Sequence, residues 1–178
     1  MRLFTHTTFS YGTLLLGTFC FVPSAELYKN TVAVVLLCLA WLANHLIDRL
    51  GHSMRNNIPV RMPRTHSVFT APLWGLLSAV PFYYAVNYFA LLPASTVTVY
   101  HFTLPATIWL FAAGVYVAYN HLFLDSMTQA GVYFTTHRIA IAHLRYNDTV
   151  ANTVFVALGL LAAYVAIVSP SVVALFGL

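Results

Sequence analysis

Residues 31–50 have the sequence TVAVVLLCLAWLANHLIDRL, an almost unbroken apolar run. A helix needs roughly 20 mostly apolar residues to cross the hydrocarbon core of a bilayer. This stretch has that length, and no charged residue precedes Asp48 and Arg49 within it. Its last turns also hold Asn44 and His45. The stretch therefore predicts a transmembrane helix that ends in polar and ionisable side chains.

The rest of the chain has the same apolar character. Of 178 residues, 60% are hydrophobic and 7% are charged. Soluble domains carry roughly a quarter charged residues, so this composition excludes an ordinary water-facing surface. No hydrophilic stretch is long enough to fold separately, and residues 1–178 are predicted to form a single transmembrane domain. The net charge of +4 reflects the presence of only four acids, and no nucleic-acid partner is expected.

Five windows qualify to some degree as transmembrane helices. They comprise residues 3–22, 31–50, 68–92, 105–124 and 150–168. The first window begins like a signal peptide, but no convincing cleavage site follows, so we interpret it as a retained helix. Ser169 and Pro170 end the last window, and residues 171–178 are too few to span a bilayer. The predicted fold class is all-α, a polytopic integral membrane helical bundle of about five transmembrane helices.

The distribution of arginine predicts the orientation of this bundle. Arginines occur near the N-terminus, around the connection 51–67 and in the connection 125–149, whereas the connection 93–104 has no charged residue. Cytoplasmic connections carry the excess of lysine and arginine. The N-terminus is therefore predicted to be cytoplasmic, in a multi-pass protein of the cell membrane. Within the last connection, residues 137–145 are compatible with a short amphipathic helix on the membrane surface.

Ionisable side chains at the ends of the predicted helices are the main functional signal, because such groups are costly beside a membrane. Asp48 shares a helix face with His45 and His52, three and four residues away. His121 and Asp125 are also four residues apart, a spacing at which a helix presents two ligands to one metal. The predicted orientation brings one set of residues to the cytoplasmic face: His6, Asp48, His52, His66, His121 and Asp125.

This set of residues predicts a metal site. Mixed imidazole and carboxylate ligands suit zinc, which we favour, with manganese and magnesium as alternatives. A catalytic site would keep one position open for water, whose pKa the metal lowers. A guanidinium from Arg61 or Arg64 could then clamp a phosphate. The alternative is that the histidines and aspartates form ordinary hydrogen-bonded pairs and that the arginines only determine topology.

The remaining histidines are weaker candidates. His101 is predicted to be a solvated loop residue on the opposite face of the membrane. His137 and His143 are six residues apart, which is poor spacing for one face of a helix. They are therefore not included in the predicted ligand set.

Several motifs resemble those of a known family. Residues 44–52 (NHLIDRLGH), 64–67 (RTHS) and 121–131 (HLFLDSMTQAG), together with His6, resemble the membrane-bound metal-dependent hydrolases. That family includes a LexA-regulated inner-membrane protein of enteric bacteria, and the likeness is greatest to an uncharacterised archaeal branch, in which residues 138–152 also look similar. The resemblance covers nearly the whole chain. The family is itself thought to be distantly similar to zinc-dependent phospholipases C and single-strand nucleases.

The resemblance implies a ligand set with one departure. The bacterial proteins usually have an Asp-x-Asp-His type of motif after the second helix, whereas Leu46 stands two residues before Asp48 here. One carboxylate is therefore missing, and one or two metals are expected, with His45 or His52 as substitutes. The matched positions, which the resemblance implies to be ligands, are His6, Asp48, His66, His121 and Asp125.

These observations lead to one hypothesis and one main alternative. The hypothesis is a membrane-embedded metal-dependent hydrolase of a phosphoester, such as a lipid headgroup. In it, Asp48 or Asp125 would act as a metal ligand and orient the water, and Arg64 could stabilise the developing charge. Its partners would be membrane lipids. The alternative is a non-enzymatic membrane subunit of a homo-oligomer or a larger complex, in which the same residues are structural. A transporter is less consistent, because transport sites lie near the bilayer midplane.

Overall fold

The chain is built mainly of helices, in a computed structural model that describes residues 1–22, 28–55, 58–89, 96–99 and 102–168. A short helix, α3 (Pro63–His66), precedes the third long one. The long helices are α1 (Leu3–Phe21), α2 (Lys29–Gly51), α4 (Ala71–Tyr88), α5 (Ala106–Ser126) and α6 (Thr149–Val168). Each long helix coincides with one of the predicted windows, and the predicted all-α class is confirmed. His101 and residues 169–178 lie outside the described residues.

Helix α1 packs against α2, α5 and α6, so neighbours surround much of its surface. It buries polar side chains, including those of Thr5, His6, Thr8 and Ser10. Thr8 Oγ1 donates to the carbonyl oxygen of Phe4 at 2.9 Å, and this bond satisfies the hydroxyl within the helix. The polar residues that weaken the apolar character of the first window therefore face the protein interior.

Glycines bring two pairs of helices into close contact. A Cβ atom added to Gly12 of α1 would overlap the backbone of Gly159 in α6, and one added to Gly75 of α4 would overlap the backbone of Gly114 in α5. Small residues allow helix backbones to approach in this way. These contacts set the spacing between α1 and α6 and between α4 and α5.

Three antiparallel hairpins, which the sequence did not predict, lie in the connections between the long helices. They are β1 (His52–Arg55) with β2 (Ile58–Arg61), β3 (Thr96–Val99) with β4 (Phe102–Pro105), and β5 (Val132–Phe134) with β6 (His137–Ile139). The first hairpin matters most for the site, because its register pairs His52 with Arg61. It therefore returns the chain to the end of α2.

The predicted amphipathic helix at residues 137–145 is wrong. Residues 137–139 form β6, and the chain beyond them bonds across the end of α5: Ile141 N donates to Ser126 O at 2.6 Å, and Leu144 N donates to Met127 O at 2.9 Å. The last carbonyl groups of a helix lack partners within it, and these amides supply them. His143 also has a φ of 55°, which a right-handed helix does not allow.

Two of the described helices, α2 and α6, are long and apolar enough to cross a membrane. Fewer of the described helices meet these criteria than the about five spans that the sequence predicts. The five-span arrangement therefore stays a prediction at this point.

The contact between α1 and α6 can be tested with a matched pair of glycines in α1. Gly12→Ala should destabilise the protein by about 1–3 kcal/mol, because the new methyl group overlaps the α6 backbone. Gly17→Ala is the control, since nothing lies within 4 Å of a Cβ added there. That change should be neutral or stabilise by up to about 1 kcal/mol through helix propensity. Thermal unfolding of the purified full-length variants measures both, and equal stabilities would contradict this helix contact.

Candidate metal centre

Five predicted residues meet at one end of the helix bundle and form what we term the His/Asp cluster. They are His6 of α1, Asp48 of α2, His66 of α3, and His121 and Asp125 of α5. All are fully buried except Asp48, whose side chain is 22% exposed. The structure thus brings together residues that lie far apart in the sequence.

The spacing within the cluster fits a shared cation. His121 Nε2 lies 3.3 Å from Asp125 Oδ2 and 3.5 Å from Asp48 Oδ1. His66 Nε2 lies 3.4 Å from Asp125 Oδ2 and 3.9 Å from Asp48 Oδ1. Ligands of a tetrahedral metal with bonds of about 2.0–2.2 Å are about 3.3–3.6 Å apart. Three of these four distances fall in that range, and the fourth is slightly longer.

Hydrogen bonds orient the imidazole rings of His121 and His66. Asn44 Nδ2 donates to the carbonyl oxygen of Ala40 at 2.8 Å, so the amide oxygen of Asn44 faces His121 Nδ1 at 2.9 Å. That oxygen can only accept, hence Nδ1 carries the proton and Nε2 of His121 presents a lone pair to the carboxylates. His66 Nδ1 lies 2.8 Å from the hydroxyl of Thr65, and this contact also holds the orientation of the ring.

Several atoms of the cluster are buried without a hydrogen-bond partner among the described residues. They are both ring nitrogens of His6, Nε2 of His66, Nε2 of His121 and Oδ2 of Asp125. Lone pairs that face one another in a buried site repel and are costly unless a cation lies between them. These groups could therefore hold a metal ion.

The potential ligands fall into two adjoining groups. His6, His121 and Asp125 form a fully buried group, and His6 stacks on His121 with ring centroids 4.1 Å apart. Asp48, His52 and His66 form a second, partly exposed group. His52 follows the last residue of α2, and its Nδ1 lies 2.7 Å from the carbonyl oxygen of Asp48. The contacts of His66 and His121 with both carboxylates join the groups.

The neutral form of His66 is favoured by its surroundings. Burial lowers the pKa of His66 to about 2, and the neighbouring His121 acts in the same direction, whereas Asp125 opposes it. The imidazole is therefore uncharged at neutral pH. A metal ligand must be in this form.

Arg61 holds the other oxygen of Asp125. Its Nη2 lies 2.5 Å from Asp125 Oδ1, and its Nη1 donates to Thr128 Oγ1 at 2.8 Å and to Gly131 O at 3.0 Å. The Met1 amine lies 3.2 Å from the same Oδ1, and burial lowers the pKa of this amine even though Asp125 opposes the shift. Oδ1 of Asp125 is thus neutralised by the guanidinium of Arg61, and Oδ2 faces the imidazoles of His66 and His121.

The other sequence candidates occupy different positions. The guanidinium of Arg64 is exposed and donates to the carbonyl oxygen of Leu50, with Nη2 at 2.9 Å. His45 stacks on Trp41, with centroids 5.2 Å apart. His137 and His143 are exposed and are not part of the cluster.

Asn44 and Arg61 contact members of the His/Asp cluster but were not in the predicted ligand set, although the sequence offered some indication of each. Asn44 lies four residues before Asp48, so both occupy one face of α2. Arg61 was considered beside Arg64, but only the β1–β2 hairpin distinguishes them. No pattern in the connection 51–67 indicated that hairpin.

A cavity of 570 Å³ lies beside the cluster. Its lining includes Asp48 and His52 of the second group and the arginines Arg2, Arg49 and Arg61. The partly exposed side of the cluster therefore faces a space large enough for a small ligand.

Residues 1–124 match a family model described as a protein of unknown function, DUF1286. The chain belongs to this family. The DUF1286 match contains every member of the His/Asp cluster except Asp125, the residue directly after its end. No curated protein and no solved structure matches the chain.

Asn44→Ala should weaken metal binding about 10- to 100-fold, because the variant loses the acceptor that orients His121. The control is Asn120→Ala, which removes a hydrogen bond of 3.0 Å to Thr13 between α5 and α1 and leaves the cluster contacts in place. Zinc titration against a competing chelator measures the affinity of both variants. An equal loss in both, or no loss in Asn44→Ala, would contradict the proposed orientation of His121.

Proposed function

We propose that this chain is a membrane-embedded, metal-dependent hydrolase that acts on a phosphoester at the cytoplasmic face of the membrane. The observation that carries the proposal is the position of the His/Asp cluster. Its unpaired nitrogen and oxygen atoms are buried, and Asp48 connects the cluster to a cavity that arginines also line. The resemblance to membrane-bound metal-dependent hydrolases agrees with this chemistry.

The distribution of apolar side chains supports a bundle with five spans. Polar residues such as His6, Asn44 and Asp125 are buried, while large apolar side chains are exposed on the long helices. Large apolar side chains exposed along several helices are typical of contact with a membrane or a partner. The exposed residues include Val34, Leu37 and Trp41 on α2, Leu73 and Leu77 on α4, Tyr116 and Tyr119 on α5, and Leu158, Leu161 and Tyr164 on α6.

The two carboxylates have different surroundings, which supports different roles. Asp125 is fully buried and paired with Arg61, so it is suited to hold a metal and stay ionised. Asp48 is partly exposed and lines the cavity, so it can also position a water molecule and accept its proton. A divalent metal bound here would lower the pKa of water and polarise a phosphoryl oxygen. We favour zinc, because the donor set combines imidazoles and carboxylates.

The cations of the cavity favour a phosphoester over a neutral substrate. Arg49 and Arg2 line the same space as Asp48, and a guanidinium fork matches two phosphate oxygens. The predicted role of Arg64 in stabilising charge is less well supported, because its guanidinium bonds to the backbone of Leu50. The cavity lies at the end of the bundle that is predicted to be cytoplasmic, where lipid headgroups are accessible.

One observation favours the alternative of a non-enzymatic membrane subunit. Asp125 is bonded to Arg61, Thr128 bonds to both of them, and the histidines of α1 and α3 lie beside the same carboxylate. Such a network would tie helix ends together even without turnover. Membrane lipids, a second copy of the chain or a larger complex would then be its partners.

Metal-dependent turnover tests the hydrolase. The purified protein, loaded with zinc or manganese, should release phosphate from a long-chain alkyl phosphate, and a chelator should abolish the release. Asp125→Asn should lower the rate at least about 100-fold, since even indirect supports of a metal cost 10- to 100-fold.

The matched control for this substitution is Asp148→Asn. Oδ1 of Asp148 accepts a hydrogen bond of 2.9 Å from Ala151 N at the start of α6, a role that asparagine also fills. Its activity should be unchanged. Loss of folded protein in Asp125→Asn without any wild-type turnover on metal loading would support the subunit instead.

Cysteine labelling tests the orientation, in a background with Cys20 and Cys38 replaced by alanine. Asn30→Cys, at the start of α2, should react with a membrane-impermeant maleimide in intact cells. Thr136→Cys, in the exposed turn between β5 and β6, should react only after permeabilisation. The proposed arrangement places the two positions on opposite sides of the membrane, so labelling from the same side would contradict it.

A further inference from the structure

The cavity beside the His/Asp cluster has an excess of positive charge. Arg2, Arg49 and Arg61 line it, against the single carboxylate of Asp48. Arg61 is already neutralised by Asp125. The side chains of Arg2 and Arg49 are exposed, and neither forms an ion pair with any residue that the structure describes. Two guanidinium groups therefore remain free to bind an anion.

The same cavity has an apolar part. Leu3, Ala130 and Tyr146 contribute to its wall beside the arginines. An apolar wall next to unpaired cations suits a ligand with an anionic head and an apolar body. It also lowers the local polarity, which strengthens the attraction between a guanidinium and a phosphate.

We propose that Arg2 and Arg49 form a second anion subsite and that the substrate is a diphosphate ester. This inference rests on the proposed function, since the His/Asp cluster is assigned to the terminal, scissile phosphate. A single phosphate at the cluster would leave both arginines without a counter-charge. The inner phosphate of a diphosphate ester supplies that charge and suits the guanidinium fork.

The reaction that follows from this placement is the hydrolysis of a phosphoanhydride bond. Water forms a new bond to the terminal phosphorus, and the bond from that phosphorus to the bridging oxygen breaks. One water proton passes to a base such as Asp48 and then to solvent. The bridging oxygen stays with the inner phosphate, so the products are inorganic phosphate and a monophosphate ester.

Binding of a non-hydrolysable probe tests the subsite without turnover. The purified full-length protein, loaded with zinc, should bind methylenediphosphonate at least about tenfold more tightly than methylphosphonate, because only the former reaches both subsites. Arg49→Gln should remove this preference, because it should lower the affinity for methylenediphosphonate much more than the affinity for methylphosphonate. Arg2→Gln should reduce the preference as well. Arg138→Gln, an exposed arginine of β6 outside the cavity, is the matched control and should keep it.

Two results would overturn the subsite: no preference for the diphosphonate in the wild type, or equal behaviour of Arg49→Gln and Arg138→Gln. Turnover of a monophosphate ester without that preference would contradict the second anion subsite alone and leave the proposed hydrolase activity standing. An arginine-dependent preference without turnover would contradict the hydrolase activity alone. A dodecyl ester of the diphosphonate distinguishes the sources: tighter binding than the parent compound indicates a lipid diphosphate, and equal binding indicates a soluble one.

Discussion

Burial of a carboxylate costs several kcal/mol unless cations or hydrogen-bond donors surround it, and Asp125 is fully buried. Its two oxygens are used differently: Oδ1 is paired with Arg61, and Oδ2 faces His66 and His121. The β1–β2 hairpin, the short α3 and the end of α5 all converge on this one group. The geometry of the candidate metal centre therefore depends on how Asp125 is held.

The helices were largely predictable from the sequence, because length and apolar character specify a long helix without reference to its neighbours. Each predicted window corresponds to one long helix within a few residues. The hairpins were not predictable in this way. Residues 137–145 illustrate the reason: their apolar pattern suits an amphipathic helix, but their amides bond to carbonyls at the end of α5. Those partners lie elsewhere in the chain and leave no local periodicity.

The members of the His/Asp cluster were predictable because charged and imidazole groups are rare in this chain and each needs a reason to lie beside an apolar helix. The structure brings His6, Asp48, His66, His121 and Asp125 together. The supporting residues were harder to identify. Asn44 and Thr65 carry no charge, and Arg61 differs from Arg64 only in the direction of its side chain. That direction follows from the hairpin register, which a single sequence does not reveal.

The distance along the chain between the members of the cluster has a consequence for assembly. His6 is near the start and Asp125 lies at the end of the fourth long helix, so their contact closes a very long loop. Contacts of this kind form late, because the chain must lose much conformational entropy before they form. A nascent chain that stops before α5 has no Asp125 to pair with Arg61 or to receive the histidines. The residues that form the site thus distinguish a chain that includes α5 from one that is interrupted before it, because only the former can pair these buried polar groups.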